Sequence, residues 1–135
     1  MAVTIWLIDK SAYVRLPSGV HQQEWANRVE RGLVRVSTVT RLELGFSYRN
    51  IDNAQYEVAN PPLVSMPLEY INPAIEHRAV EVQMMLTQRG QHRAASVADL
   101  LVAATAEING LTVLHFDKDF DLIASITGQP VETFM

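Results

Sequence analysis

Val3-Thr4-Ile5-Trp6-Leu7-Ile8 runs without a charged residue into Asp9. The run is rich in β-branched residues and shows no alternation of apolar with polar positions. That pattern predicts a strand buried on both faces, as in a parallel sheet. Leu111-Thr112-Val113-Leu114-His115-Phe116 repeats it and runs into Asp117. Leu33–Val36 and Val131–Phe134 read as further strands, and Leu63–Met66 as a short one between prolines. Helical patterns fill the intervals, over Ser11–Leu16, His21–Arg31, Ser37 or Thr38 to about Arg49, and Asn53–Ala59. Pro73 opens a long helix to about Arg89. Ser96 caps one over Val97–Asn109 that Gly110 stops, and a last helix covers Lys118–Ile126. Strands alternating with helices predict an α/β fold, a single domain over residues 1–135 with a central, mostly parallel sheet flanked by helices. In such a fold, sites form beyond the carboxyl ends of the strands.

Two acids stand there, Asp9 and Asp117. Aspartate at a strand end also starts turns and caps helices, so position alone does not decide their role. Two more acids sit on helices. Glu43 has Val39 and Phe46 as its i−4 and i+3 neighbours, beside an apolar face. Thr40 and Glu43 match a capping box, but a helix starting at Ser37 or Thr38 leaves Glu43 a turn too deep for it. Asp99 shares a helix face with Ala95, Val102 and Ala103, on a helix that is apolar nearly all round. Ser96-x-x-Asp99 is a local box that explains the residue type. It does not explain a charge on the most buried helix, where an uncompensated carboxylate costs several kcal/mol. Few cations are at hand, so a metal suits Asp99 better than an ion pair. Four converging carboxylates, without cysteine and without histidine at ligand spacing, make an all-oxygen site for Mg²⁺ or Mn²⁺. Such sites hold phosphates and activate water, which points to phosphodiester or phosphoryl hydrolysis.

Composition narrows the field. Of 135 residues, 48% are hydrophobic and 19% charged, which excludes disorder, and the absence of cysteine excludes a disulfide scaffold and a thiolate zinc site. No uncharged apolar run reaches the roughly 18 residues of a membrane span. The start of the chain lacks a basic n-region, so a cytoplasmic protein is expected. Fifteen acids against 11 Lys+Arg give a formal charge of −4, which excludes a metal-free basic clamp on nucleic acid. The quartet accounts for four negative charges, and two divalent ions would bring −4 to about 0. Arg28, Arg31, Arg35, Arg41 and Arg49 face only Glu30 and Glu43 over the same stretch, a local excess of +3 that offers a track for a phosphate backbone, or simply an exposed surface.

Other candidates fare less well. Asp117-x-Asp119-x-Asp121 resembles an EF-hand opening, but Leu122 and Gly128 occupy the positions that need Gly and Glu. Asp119 reads as an accessory ligand or a cap, and Met84-Met85 as core or a dimer face. A haloacid-dehalogenase-like phosphatase would need a second Asp where Ser11 stands.

Taken together, Leu7-Ile8-Asp9-Lys10-Ser11, Ser37–Leu44, Val97–Ala104 and Leu114–Phe120 resemble the PIN-domain ribonucleases of the VapC toxin type, over Trp6 to about Phe134. The resemblance implies a Mg²⁺- or Mn²⁺-dependent endoribonuclease that cleaves structured RNA, such as tRNA or rRNA, and stops translation. It further implies a homodimer silenced by a cognate VapB-type antitoxin whose C-terminal segment wraps the toxin. Carried over, Asp9, Glu43, Asp99 and Asp117 form the acidic quartet, with Asp9 and Asp99 as direct ligands and Asp119 as a candidate fifth member. Ser11 matches a hydroxyl that orders the site. His115 stands where the family often has Thr, Ser or Asn, so the contact made from that position does not carry over. A PIN module that has lost catalysis and only binds a partner is the non-enzymatic alternative.

Overall fold

The computed structural model describes residues 3–135, in which five parallel strands form one sheet in the order β3-β2-β1-β4-β5. β1 (Trp6–Ile8) is central, between β2 (Val34–Ser37) and β4 (Thr112–His115), and β3 (Leu68–Glu69) and β5 (Val131–Thr133) are the edges. Trp6 pairs with Val34 on one side and Thr112 on the other. The connecting helices are α1 (Lys10–Tyr13), α2 (Gln22–Glu30), α3 (Thr38–Phe46), α4 (Ile51–Ala59), α5 (Pro73–Gln88), α6 (Val97–Asn109) and α7 (Lys118–Thr127).

Successive strand residues point to opposite faces, so β1 and β4 each feed two cores. Leu7 and Val113 pack with Ile75, Val82 and Leu86 of α5, Val102 of α6 and Phe120 of α7. Trp6, Ile8, Val34, Val36 and Leu114 pack on the other face with Ala12, Trp25, Val29 and Leu44. Burial on both faces is why these strands read as continuous apolar runs. Phe120 is fully buried against this first core and against the His115 ring, with centroids 5.3 Å apart. Phe120→Ala is expected to cost about 3–5 kcal/mol, as aromatic truncations in cores do. Followed by circular dichroism, the Tm should fall by roughly 10–18 °C.

The sequence-based expectations differ from the structure in three places. Strand pairing begins at Trp6, and Val3 is two-thirds exposed. Leu63–Met66 is not a strand; Leu63–Ser65 is a 3₁₀ turn, which puts Leu63 and Met66 together in the core. The strand comes after Pro67, whose carbonyl accepts from the Val36 N–H at 3.0 Å. The arginine stretch is partly committed to structure. Arg35 pairs with Glu69 at 2.6 Å, and the Arg28 guanidinium lies over the Trp6 and Trp25 rings at 4.9 and 4.5 Å.

Candidate active site

The chain builds β1, β2 and β3 outward on one side, then returns to add β4 and β5 on the other. The strand order therefore reverses between β1 and β4, and a crevice opens at their carboxyl ends. Asp9 follows β1 and caps α1. Its Oδ2 accepts from the Ser11 N–H at 3.0 Å and from the Ser11 hydroxyl at 2.6 Å. The Ser11 Oγ in turn accepts from the Phe116 N–H at 2.9 Å, tying the end of β4 to the start of α1. Asp117 follows β4 and caps α7, its Oδ1 accepting from the Asp119 N–H at 3.0 Å.

Ser37 caps α3 through the Thr40 N–H, so Glu43 lies a turn inside the helix and outside the cap. Asp99 does complete a capping box. Its Oδ2 accepts from the Ser96 N–H at 3.1 Å while the Ser96 Oγ accepts from the Asp99 N–H at 3.0 Å. That role occupies one carboxylate oxygen of Asp99.

Asp9, Glu43, Asp99, Asp117 and Asp119 all line one cleft of about 460 Å³. Within it, carboxylate oxygens of Asp99, Asp117 and Asp119 lie within 4.8 Å of one another. The crowding has an electrostatic signature. Burial, opposed by the Ser96 hydrogen bonds and reinforced by Asp9 and Asp117, pushes the Asp99 carboxyl above its usual range. Burial followed by repulsion from Asp9 and Asp99 raises Glu43 against the pull of Lys10, and burial then Asp117 raises Asp119. These groups favour proton or cation over open charge. An all-oxygen donor set of this kind fits a hard divalent ion.

Lys10 and Arg93 also line the cleft, and sequence reading singled out neither for this role. Of the five arginines in the 28–49 stretch, none does. His21, His77 and His92 are exposed, whereas His115 is buried with Nδ1 accepting from the Asp117 N–H at 3.1 Å. The Asp121 side chain is 59% exposed, with Oδ1 3.6 Å from the His115 Nε2.

A family model described as PIN domain matches residues 7–126. The chain is 58% identical to Ribonuclease VapC2 of Mycobacterium tuberculosis over 127 residues, covering 94% of this chain and 90% of that one. It belongs to the PIN-domain family of VapC-type toxins. Ribonuclease VapC21 of the same species is 41% identical over 133 residues, covering 96% and 93% of the two chains. Among solved structures, a chain of DNA-bound VapBC from Salmonella typhimurium superposes on this VapC-type PIN domain with a TM-score of 0.78 at 15% identity, over 97% and 98% of the chains. The haloacid-dehalogenase alternative falls with this membership. The fold also explains why the four acids, 108 residues apart at the extremes from Asp9 to Asp117, line one cleft at one sheet end, although Asp9 and Glu43 stand outside the close group of Asp99, Asp117 and Asp119.

Proposed function

We propose that this PIN domain is a metal-dependent endoribonuclease toxin of the VapBC type that hydrolyses phosphodiester bonds in structured RNA, tRNA or rRNA, and so inhibits translation. The observation that carries the reading is the gathering of five carboxylates in one cleft at the sheet's switch point. Asp9, Asp99, Glu43 and Asp117 are proposed to hold Mg²⁺, for which Mn²⁺ can substitute, with Asp119 beside them. Bound there, the ion supplies positive charge to the scissile phosphate and lowers the pKa of a water. Glu43, its carboxyl raised by burial and by its acidic neighbours, is suited to take the proton of the attacking water on a carboxylate oxygen. Lys10 and Arg93, which line the cleft, are proposed to meet phosphate oxygens of the flanking nucleotides. Ser11 holds Asp9 in register with the end of β4.

A cognate VapB-type antitoxin is the proposed partner. An apolar groove of about 760 Å³ between α1, α2 and the segment after α4 is lined by Tyr13, Leu16, Trp25 and Pro62, and it shares Val14 with the acidic cleft. A segment lying in that groove would reach Val14 at the edge of the acidic cleft. Val80 and Met84, one turn apart on α5 and 59% and 60% exposed, offer an apolar face for the proposed homodimer. Among the described residues no helix is long and apolar enough to cross a membrane, and a cytoplasmic site of action is proposed.

Sequencing RNA 5′ ends from cells expressing the chain, with Asp99→Asn expressed as control, tests the reading. Discrete new ends in tRNA or rRNA are expected with the wild type only. Their absence, or equal ends with both proteins, would sink the nuclease and leave a module that only binds its partner.

A further inference from the structure

His115 is 1% exposed at the end of β4, and the two ring nitrogens have different fates. Nδ1 accepts from the Asp117 N–H at 3.1 Å, which in the neutral ring leaves the proton on Nε2. Nε2 is buried and has no hydrogen-bond partner; the nearest carboxylate oxygen, Oδ1 of Asp121, is 3.6 Å away. An unpaired buried N–H costs about 1–3 kcal/mol, a cost that an apolar ring of the same shape would avoid. Packing against Phe120 therefore does not account for an imidazole here. Nor does strand pairing, because the His115 carbonyl accepts from the Phe134 N–H at 2.7 Å whatever the side chain is.

What the imidazole supplies is one acceptor, at the peptide that begins the Asp117 turn. The chain of bonds continues from there, since the Asp117 Oδ1 accepts from the Asp119 N–H. Both carboxylates at the far end belong to the three-oxygen cluster with Asp99. We infer that His115 is a positioning residue whose Nδ1 lone pair orients the Asp117–Asp119 turn and thereby sets the affinity of the carboxylate cluster for a divalent cation. The inference rests on the reading that this cluster holds such an ion. The role is one of geometry, carried by the acceptor and independent of ring charge.

Three substitutions separate this role from packing. In His115→Asn the amide oxygen falls near the place of Nδ1, in His115→Gln it falls near Nε2, and His115→Phe fills the ring space with no acceptor. Each purified protein is titrated with Mn²⁺ alone, free Mn²⁺ being read by electron paramagnetic resonance, and melted by circular dichroism. His115→Phe is expected to keep its Tm yet bind Mn²⁺ about 10-fold or more weakly, the loss typical of a removed partner of a metal ligand. His115→Asn should lose Tm through its cavity yet bind close to the wild type, and His115→Gln should bind as weakly as the Phe variant. A Phe variant that binds like the wild type, or an Asn variant that is folded and no better than Phe, overturns the inference. Should the Asn variant not fold, ¹⁵N spectra of the wild type still decide. They should show an unprotonated Nδ1, and a protonated Nδ1 with free Nε2 overturns the assignment. A wild type that binds no Mn²⁺ at all defeats the metal reading itself, a result distinct from any difference among the variants.

Discussion

Asp99→Asn is expected to abolish RNA cleavage while leaving the folded protein at least as stable as the wild type. The activity loss follows from removing a charged donor from a cluster proposed to act by holding a metal ion. Metal-assisted transition-state stabilisation is worth several kcal/mol, and at about 1.4 kcal/mol per tenfold the loss should be on the order of 10³ or more. Asp9→Asn should lose a similar factor, because an amide keeps an acceptor for Ser11 but not the charge. Stability moves the other way at Asp99. Its carboxyl is pushed up by burial and by Asp9 and Asp117, so the folded state binds the proton more tightly than the unfolded chain. That contribution is fully present below the ordinary carboxylate pKa and is lost as pH rises through the raised folded value. Metal-free wild type should therefore be penalised at neutral pH relative to mildly acid pH. The neutral amide escapes the penalty, and its oxygen still accepts from the Ser96 N–H in the capping box. Melts of both proteins in EDTA at neutral and mildly acid pH check the sign. A wild type that gains stability as pH rises, relative to Asp99→Asn, would contradict it, and full cleavage by either mutant would remove the residue from the site.

Chelation is expected to have a comparable effect by a different route. EDTA should stop cleavage by the wild type, and added Mg²⁺ or Mn²⁺ should restore it. A readout that does not pass through catalysis accompanies this, because an ion that binds only the folded state raises its stability. At about 100 times the Kd the gain is about 2.7 kcal/mol, which for a domain of this size shifts Tm by roughly 10 °C. The ion also offsets the burial and the acidic neighbours that together raise Asp99, Glu43 and Asp119. Asp99→Asn should show most of this shift abolished. Cleavage that persists in EDTA, or a Tm indifferent to the ion, would count against a metal site at these carboxylates.

The acids were legible because they conflict with their surroundings. Asp9 and Asp117 break apolar runs, and Asp99 interrupts an otherwise apolar helix, so each demanded an explanation that local structure only partly supplies. The bounds of α6 were equally plain, since Ser96 at one end and Gly110, at φ 69°, at the other are the residues that cap and stop a helix. β3 was hidden for the opposite reason. Two half-buried residues, one of them Glu69 bound to Arg35 from 34 positions away, carry no apolar signature. The stronger run Leu63–Met66 drew the strand assignment, and a turn that spaces two apolar residues by three buries them just as well. Charge is legible only in part along the chain, because pairing is a tertiary property: Arg31, Arg41 and Arg49 are exposed. Arg28 and Arg35 look free in sequence and are held by Trp6, Trp25 and Glu69. Arg93 sits in a polar loop with no pattern, and only the packing of α6 brings that loop to the cleft.

The two tryptophans of the chain lie in one cluster, with Trp6 and Trp25 ring centroids 5.1 Å apart and Phe134 packed 6.0 Å from Trp25. Intrinsic fluorescence is therefore a local gauge: it watches the α2 side of the sheet and is blind to the α5–α7 side. Far-UV dichroism draws its signal from both. Where the two probes melt together, the halves unfold as one cooperative unit; a gap between them would mean that the layer carrying Asp99 can loosen while the tryptophans still report a native protein.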